Sequence, residues 1–249
     1  MGSITRALGA VAVAVFGVML FISIAGWWVA REDARLLAKV PPFEVSLDAI
    51  VPVNWRDPAG VESVTRLLHE LGYETTGDYT VVELSFITMR GFCHTNDNTM
   101  AVVYETPQVP YVVVEQIALF EDETSVAAGN APLNGLIDPD YATIHRRHQD
   151  VLREPALLAS FQQTLLTHSN NAPRLAVTNH QQFATEFIKG WAKEMRWRMT
   201  NGGPSAQEFR LIAKNAGLSE PSEQLIRTVQ ETWLDAWQKH ASKTNSPSL

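Results

Sequence analysis

Cysteine is almost missing from this chain: its 249 residues carry one, Cys93. No disulfide can close within it, which fits a reducing compartment without demanding one. Signatures of nucleotide binding and serine hydrolysis are missing too, since there is no G-x-S-x-G, no G-x-x-x-x-G-K-[ST] and no G-x-G-x-x-G. No repeat of solenoid period is visible, and low complexity is confined to 242–249. Basic residues are scarce in the first half. From Glu44 to Thr124, fourteen acidic residues stand against three basic ones (Arg56, Arg66 and Arg90), a net charge of −11. Such a surface repels phosphate backbones, so nucleic acid is not expected as a partner. From Arg174 to Leu249 the balance reverses, with ten basic residues to seven acidic. The acidic half either docks a basic partner or leans on the basic helices of its own chain, and the second is the simpler reading.

What the chain has in abundance is one apolar run. Ala7 to Ala30 is twenty-four residues without a charge, closed by Gly26, Trp27 and Trp28. At about 1.5 Å per residue, a helix of that length covers the roughly 30 Å hydrocarbon core of a bilayer. Paired indoles at its end suit the headgroup boundary, so Trp27 and Trp28 are expected to anchor it there. A cleavable signal peptide competes with this reading, because Ser23-Ile24-Ala25 offers a small-x-small site. The run continues five residues past that site, which favours a retained, single-pass helix. Arg31, Arg35 and Lys39 follow it and Arg6 alone precedes it. Counting Lys and Arg, the domain is slightly favoured on the cytoplasmic side of a bacterial inner membrane, and the periplasmic side stays open.

The organisation expected from the pattern is a tail at 1–6, a transmembrane helix at 7–30, a hinge at 31–42 ending in Pro41-Pro42, and a soluble α+β domain at 43–241. Residues 242–249 read as a disordered tail. Within the domain, 43–130 is β-rich and 138–241 helical. Strands are expected at Phe43–Val53, Tyr79–Met89, Met100–Glu105, Tyr111–Phe120 and Ser125–Ala128, forming an antiparallel meander with one face buried under helices. Asp57-Pro58 starts a helix that Gly72 stops, and Asp138-Pro139 repeats that signal before Tyr141–Arg153. Further helices follow at Pro155–Thr167, from the capping box Thr178/Gln181 to Thr200, from Ser205/Glu208 to Gly217, and from Pro221 to His240.

The helix ending at Thr200 repeats Phe183, Phe187, Trp191, Met195 and Met199 every four residues, with Lys189, Lys193 and Arg196 on another side. A basic amphipathic helix of this kind can lie on an anionic leaflet. The same stripe serves core packing, and that is the expectation. The last helix repeats the design with Leu225, Val229, Trp233 and Trp237.

Candidates for chemistry are few. Cys93-His94 joins a thiol to an imidazole, but sequence neighbours in a strand point apart, and free cysteines are mostly buried and inert. His145 and His148 lie three apart, near Asp138 and Asp140. On a helix that spacing can chelate a metal, yet zinc sites take three or four ligands, and Arg146 and Arg147 between the histidines would repel a cation. A solvated helix face is the simpler account. No cofactor and no metal are expected.

Ala101-Val102-Val103-Tyr104-Glu105, Phe120-Glu121-Asp122-Glu123-Thr124-Ser125 and Gly129-Asn130-Ala131-Pro132, followed by His145, resemble a loose group of membrane-anchored bacterial proteins. The resemblance covers about a quarter of the chain and implies a hairpin, an acidic turn, an Asn-Ala-Pro segment and a helix opening with His. It implies no activity. The chain is therefore expected to be a membrane-anchored accessory or interaction protein. Its partners would be the bilayer, through 7–30, and another membrane or envelope protein. The alternative is an enzyme or small-ligand binder with a pocket between sheet and helices, using Cys93, His94, or His145 with Asp138.

Overall fold

The computed structural model describes residues 42–50, 53–84, 88–105, 109–131, 138–168, 172–215 and 217–244. The expected anchor at 7–30, with Trp27 and Trp28, lies outside them, as do 1–6 and most of the hinge. Among the described residues, no helix is long and apolar enough to cross a membrane.

The chain is α+β. Seven strands form one sheet in sequence order: β1 (Leu47–Ala49), β2 (Glu74–Val81), β3 (Thr88–His94), β4 (Thr99–Tyr104), β5 (Val113–Leu119), β6 (Ser125–Gly129) and β7 (Ala142–Arg146). Neighbours are antiparallel except β6 and β7, which run parallel. Five described helices accompany them: α1 (Pro58–Glu70), α2 (Ala156–Thr167), α3 (His180–Thr200), α4 (Ala206–Asn215) and α5 (Glu223–Thr244). Pro41–Glu208 makes one compact unit, which holds the sheet and α1 to α3; the residues from Phe209 onward belong to another.

Local chemistry explains the helix ends. The Asp57 carboxylate accepts from the Gly60 amide at 2.9 Å, with Pro58 in the first turn. A methyl at Gly60 would sit 2.3 Å from that carboxylate, so the bare glycine makes room for the cap. Gly72 ends the turn after α1 at φ +93°, a conformation that costs glycine little. The capping box of α4 forms as expected: the Glu208 amide donates to Ser205 Oγ at 3.2 Å, and the Ser205 amide returns a bond to the Glu208 carboxylate. In α3 the cap is Asn179 rather than Thr178. Its side chain accepts from the Gln182 amide at 3.0 Å, while Thr178 bonds the Gln182 side chain at 2.8 Å.

Both sheet faces are covered, where one was expected. On the first face, Val61, Val64 and Leu68 of α1 and Leu157, Leu158, Phe161 and Leu165 of α2 bury Phe92, Ala101, Val103, Val114, Ala118, Val126 and Ala128. On the second, α3 brings Phe183, with Phe187 and Trp191 at its margin, onto Tyr79, Met89, Cys93, Met100 and Val102. Gly91 is the seat: a methyl there would lie 2.6 Å from the Phe183 ring. The aromatic stripe of α3 is thus used within the fold. In the second unit, Ile226, Val229 and Trp233 of α5 are buried, and Trp233 stacks on Trp237 at 6.4 Å.

Three expectations are corrected. The expected strand Tyr79–Met89 is two strands, β2 and β3, with a 3-10 turn at Val82–Leu84 after β2. Glu83 fixes that turn by accepting from the amide and the hydroxyl of Ser46, each at 2.7 Å. The first strand shrinks to three residues. The expected helix Tyr141–Arg153 is instead β7 followed by turns. β-Branched Thr143 and Ile144 suit the extended chain, and pairing to β6 supplies the backbone partners that a helix would otherwise provide.

Candidate functional site

The pleat separates Cys93 from His94. Cys93 lies on the second face, 2% exposed. Burial, then the Glu74 carboxylate, pushes its thiol above the ordinary value, which disfavours the nucleophilic thiolate. A thiol-specific reagent is accordingly expected to label Cys93 only as the protein unfolds, so that labelling tracks loss of structure monitored by circular dichroism. Rapid labelling of the native chain would contradict this burial. His94 lies on the first face with both ring nitrogens engaged. Nε2 is 3.1 Å from the Leu71 carbonyl, and Nδ1 accepts from the Asp97 amide at 3.1 Å. Those partners assign the hydrogen to Nε2. The ring also meets Tyr73 edge-on at 5.1 Å, so His94 braces the α1–β2 turn against β4's approach.

His145 and Arg146 point to opposite faces of β7 for the same reason. Asp138 goes to Arg146, in a two-pronged pair with both distances 2.6 Å, and so is not the orienting partner of His145. His145, His148 and Asp140 are exposed. With Tyr141–Arg153 not helical, the one-face chelate imagined for His145 and His148 disappears. Among the described residues, no three His, Cys, Asp or Glu side chains are placed to hold a metal.

The structure assembles a different polar group, on the second face under the C-terminal half of α3. Glu115 of β5 hydrogen-bonds Tyr104 of β4 and feels the charges of Arg146, Glu194 of α3 and Asp138. Burial leads the causes that raise the Glu115 carboxyl above the ordinary range; Glu194 and Asp138 add to it, and Arg146 and the Tyr104 hydroxyl oppose it. Burial also raises Tyr104 well above a normal phenol, Glu115 adding to it, and pushes Tyr141 up to about 12. Lys193 stands over the Tyr141 ring at 4.2 Å. One signal for this group was present: Glu115 is the sole charged residue of the otherwise apolar stretch Val112–Leu119, where Gln116 is the other polar one.

Other interior polar residues serve the scaffold. Tyr73 bonds Thr99 at 3.0 Å and Gln116 at 3.2 Å, and Gln116 donates on to the Leu158 carbonyl at 3.0 Å, tying β4 and β5 to α2. Arg90 grips Asp78 with two bonds of 2.7 and 3.0 Å and reaches Glu62 on α1 at 2.7 Å. An open cleft of about 670 Å³ is lined by Pro110, Tyr111, Gln149, Asp150, Arg153 and Glu154. It contains none of the candidates, and its Arg153 pairs with Asp150 at 3.5 Å. Compared with protein-family profiles, curated proteins and solved structures, the chain matches none.

Proposed function

We propose that this chain is a membrane-attached accessory protein that works by holding a partner rather than by transforming a substrate. The observation that supports this is dispersal: Cys93 is buried on one face of β3 and His94 is spent on the other, while Asp138 is bound to Arg146 and turned away from His145. A general base must lie within hydrogen-bond reach of the group it serves, and none of these pairs meets that condition. Attachment rests on the uncharged length of 7–30 and its Trp pair, and the basic count after it favours a domain on the cytoplasmic side of a bacterial inner membrane. The acidic first half suits a basic partner surface.

The full chain is expected to remain in the membrane pellet after alkaline carbonate washing; release of the intact protein would overturn attachment. Capture from solubilised membranes is expected to return one partner in comparable amount, to work in reverse with that partner tagged, and to survive Cys93→Ala and His145→Ala. Turnover of a substrate that is abolished by either substitution would overturn the non-enzymatic reading.

A further inference from the structure

β7 is the last strand of the sheet, and its outer edge carries no further strand among the described residues. The bonds to β6 show which groups face outward. At one end the Ser125 amide donates to the Tyr141 carbonyl at 3.0 Å, and at the other the Arg147 amide donates to the Gly129 carbonyl at 2.9 Å. A strand residue turns its N–H and C=O to one side, and its neighbours turn theirs to the other. Thr143 and His145 therefore spend their backbone groups on β6, whereas Ile144 and Arg146 present theirs outward. Among the described residues none takes up those groups. The start of the edge is closed, because the Ala142 amide already donates to the Pro139 carbonyl at 3.0 Å. What stays open is the C-terminal part, and its exposed side chains are basic: His145, Arg147 and His148. Arg146 is committed to Asp138, but Arg147 pairs with no carboxylate among the described residues. The opposite edge, β1, is three residues long and carries the exposed Asp48.

We propose that the open part of the β7 edge binds an extended acidic segment of a partner protein by strand addition. The proposal rests on the reading that the chain holds a partner, and it gives that hold a place and a chemistry. Ile144 and Arg146 supply the incoming backbone with two donors and two acceptors. His145 and Arg147 lie two residues apart on one side of the strand, so carboxylates two residues apart on the segment stand beside an imidazole N–H and a guanidinium. The segment's other side chains fall on the opposite side, next to half-buried Ile144, where apolar residues fit. The pattern recognised is thus acidic and apolar in alternation. A second copy does not fit, because two such edges paired over their open parts set the basic side chains of both against each other. Nor does the segment fit β1, where Asp48 repels it.

The test is binding of a short synthetic peptide of alternating glutamate and valine, blocked at both ends, to the full chain, read by hydrogen exchange at single amides. At saturation the Ile144 and Arg146 amides are expected to exchange at least about tenfold more slowly, while those of Thr143 and His145, already bonded to β6, change little. The same peptide with its backbone amides methylated keeps its charges but cannot extend the ladder, and is expected to give no such protection. Lysine in place of glutamate is expected to abolish binding, and Arg147→Glu to weaken it by up to about tenfold. Ile144→Pro removes one outward amide and no bond to β6, and is expected to weaken binding as well. No protection of Ile144 and Arg146 at millimolar peptide overturns the proposal. So does equal protection by the methylated peptide, which would be adhesion by charge alone. Should Ile144→Pro fail to fold, Arg147→Glu at its exposed position decides, and an affinity equal to wild type overturns the edge as the site. Peptide binding and partner capture are separate measurements, so failure of this edge and failure of the partner-holding reading are told apart.

Discussion

Arg198→Ala is expected to destabilise the α3–α4 junction by about 3–5 kcal/mol, the range seen when one partner of a buried ion pair is removed. Arg198 and Glu208 are each 2% exposed in their side chains and in direct contact, and Arg198 also bonds Glu194 at 2.7 Å. Removing the guanidinium strands the Glu208 carboxylate in a dry place. That carboxylate also receives the Ser205 amide, so the start of α4 is disturbed with it. The measurement is thermal unfolding together with limited proteolysis, where new cleavage is expected between Asn201 and Ser205. A double change, Arg198→Met with Glu208→Gln, removes both charges and keeps an acceptor for the cap. It is expected to recover most of the loss, because a neutral pair escapes the desolvation penalty. Equal damage from the single and double variants would show that the loss does not come from the stranded carboxylate, since Met refills the space of the Arg198 stem and Gln carries no charge.

The contrast between the two ends of this chain shows what a sequence reveals. Helix starts at Asp57-Pro58 and Ser205/Glu208 were legible because the side chain and the amide it satisfies lie three residues apart, inside one turn. The hairpin β4–β5 was legible for a similar reason, since its alternation places Ala101 and Val103 on one side and Met100 and Val102 on the other. The strand at Ala142–Arg146 was not. Asp138-Pro139 carries the same local signal as Asp57-Pro58, and what overrides it is the distant backbone of β6. The turn at Val82–Leu84 was hidden in a β-rich run, because the group that stabilises it, Ser46, lies far back in the chain.

The polar group around Glu115 was hidden from the sequence by the same logic. Proximity in sequence drew Cys93 to His94 and His145 to Asp138, whereas a strand sends neighbours to opposite faces and brings together residues two or more strands apart. Glu115 and Arg146 become neighbours only through the row that passes over Gly129, and that row exists only once the register of three strands is set. A carboxylate in an apolar strand was the available hint. Its partners were beyond reach because one of them sits on a strand that the local pattern reads as helix.

Asn130→Asp is expected to cost about 3–5 kcal/mol at neutral pH, although the two side chains have the same shape. Asn130 is fully buried at the end of β6. Its Oδ1 accepts from the Val114 amide at 2.7 Å, and its Nδ2 donates to the carbonyls of Val112 at 3.1 Å and Gln149 at 3.0 Å. The amide therefore joins β5 to the turn after β7, which gives the Asn-Ala-Pro segment a structural reason to carry an asparagine. Aspartate keeps the acceptor and loses both donors, so two carbonyls face a carboxylate oxygen with no hydrogen between them. Such a carboxyl would take up a proton in the folded state well above the pH at which it does so when unfolded. The folded form then binds more protons than the unfolded form over that interval, and the cost of the substitution grows with rising pH and shrinks as acid protonates both states. Denaturant unfolding of wild type and variant at a series of pH values measures this directly. The stability gap should narrow on acidification but not close, because a carboxylic acid offers one donor where the amide offered two. A gap below about 1 kcal/mol at neutral pH would mean that water reaches these carbonyls and that the asparagine is not what holds them.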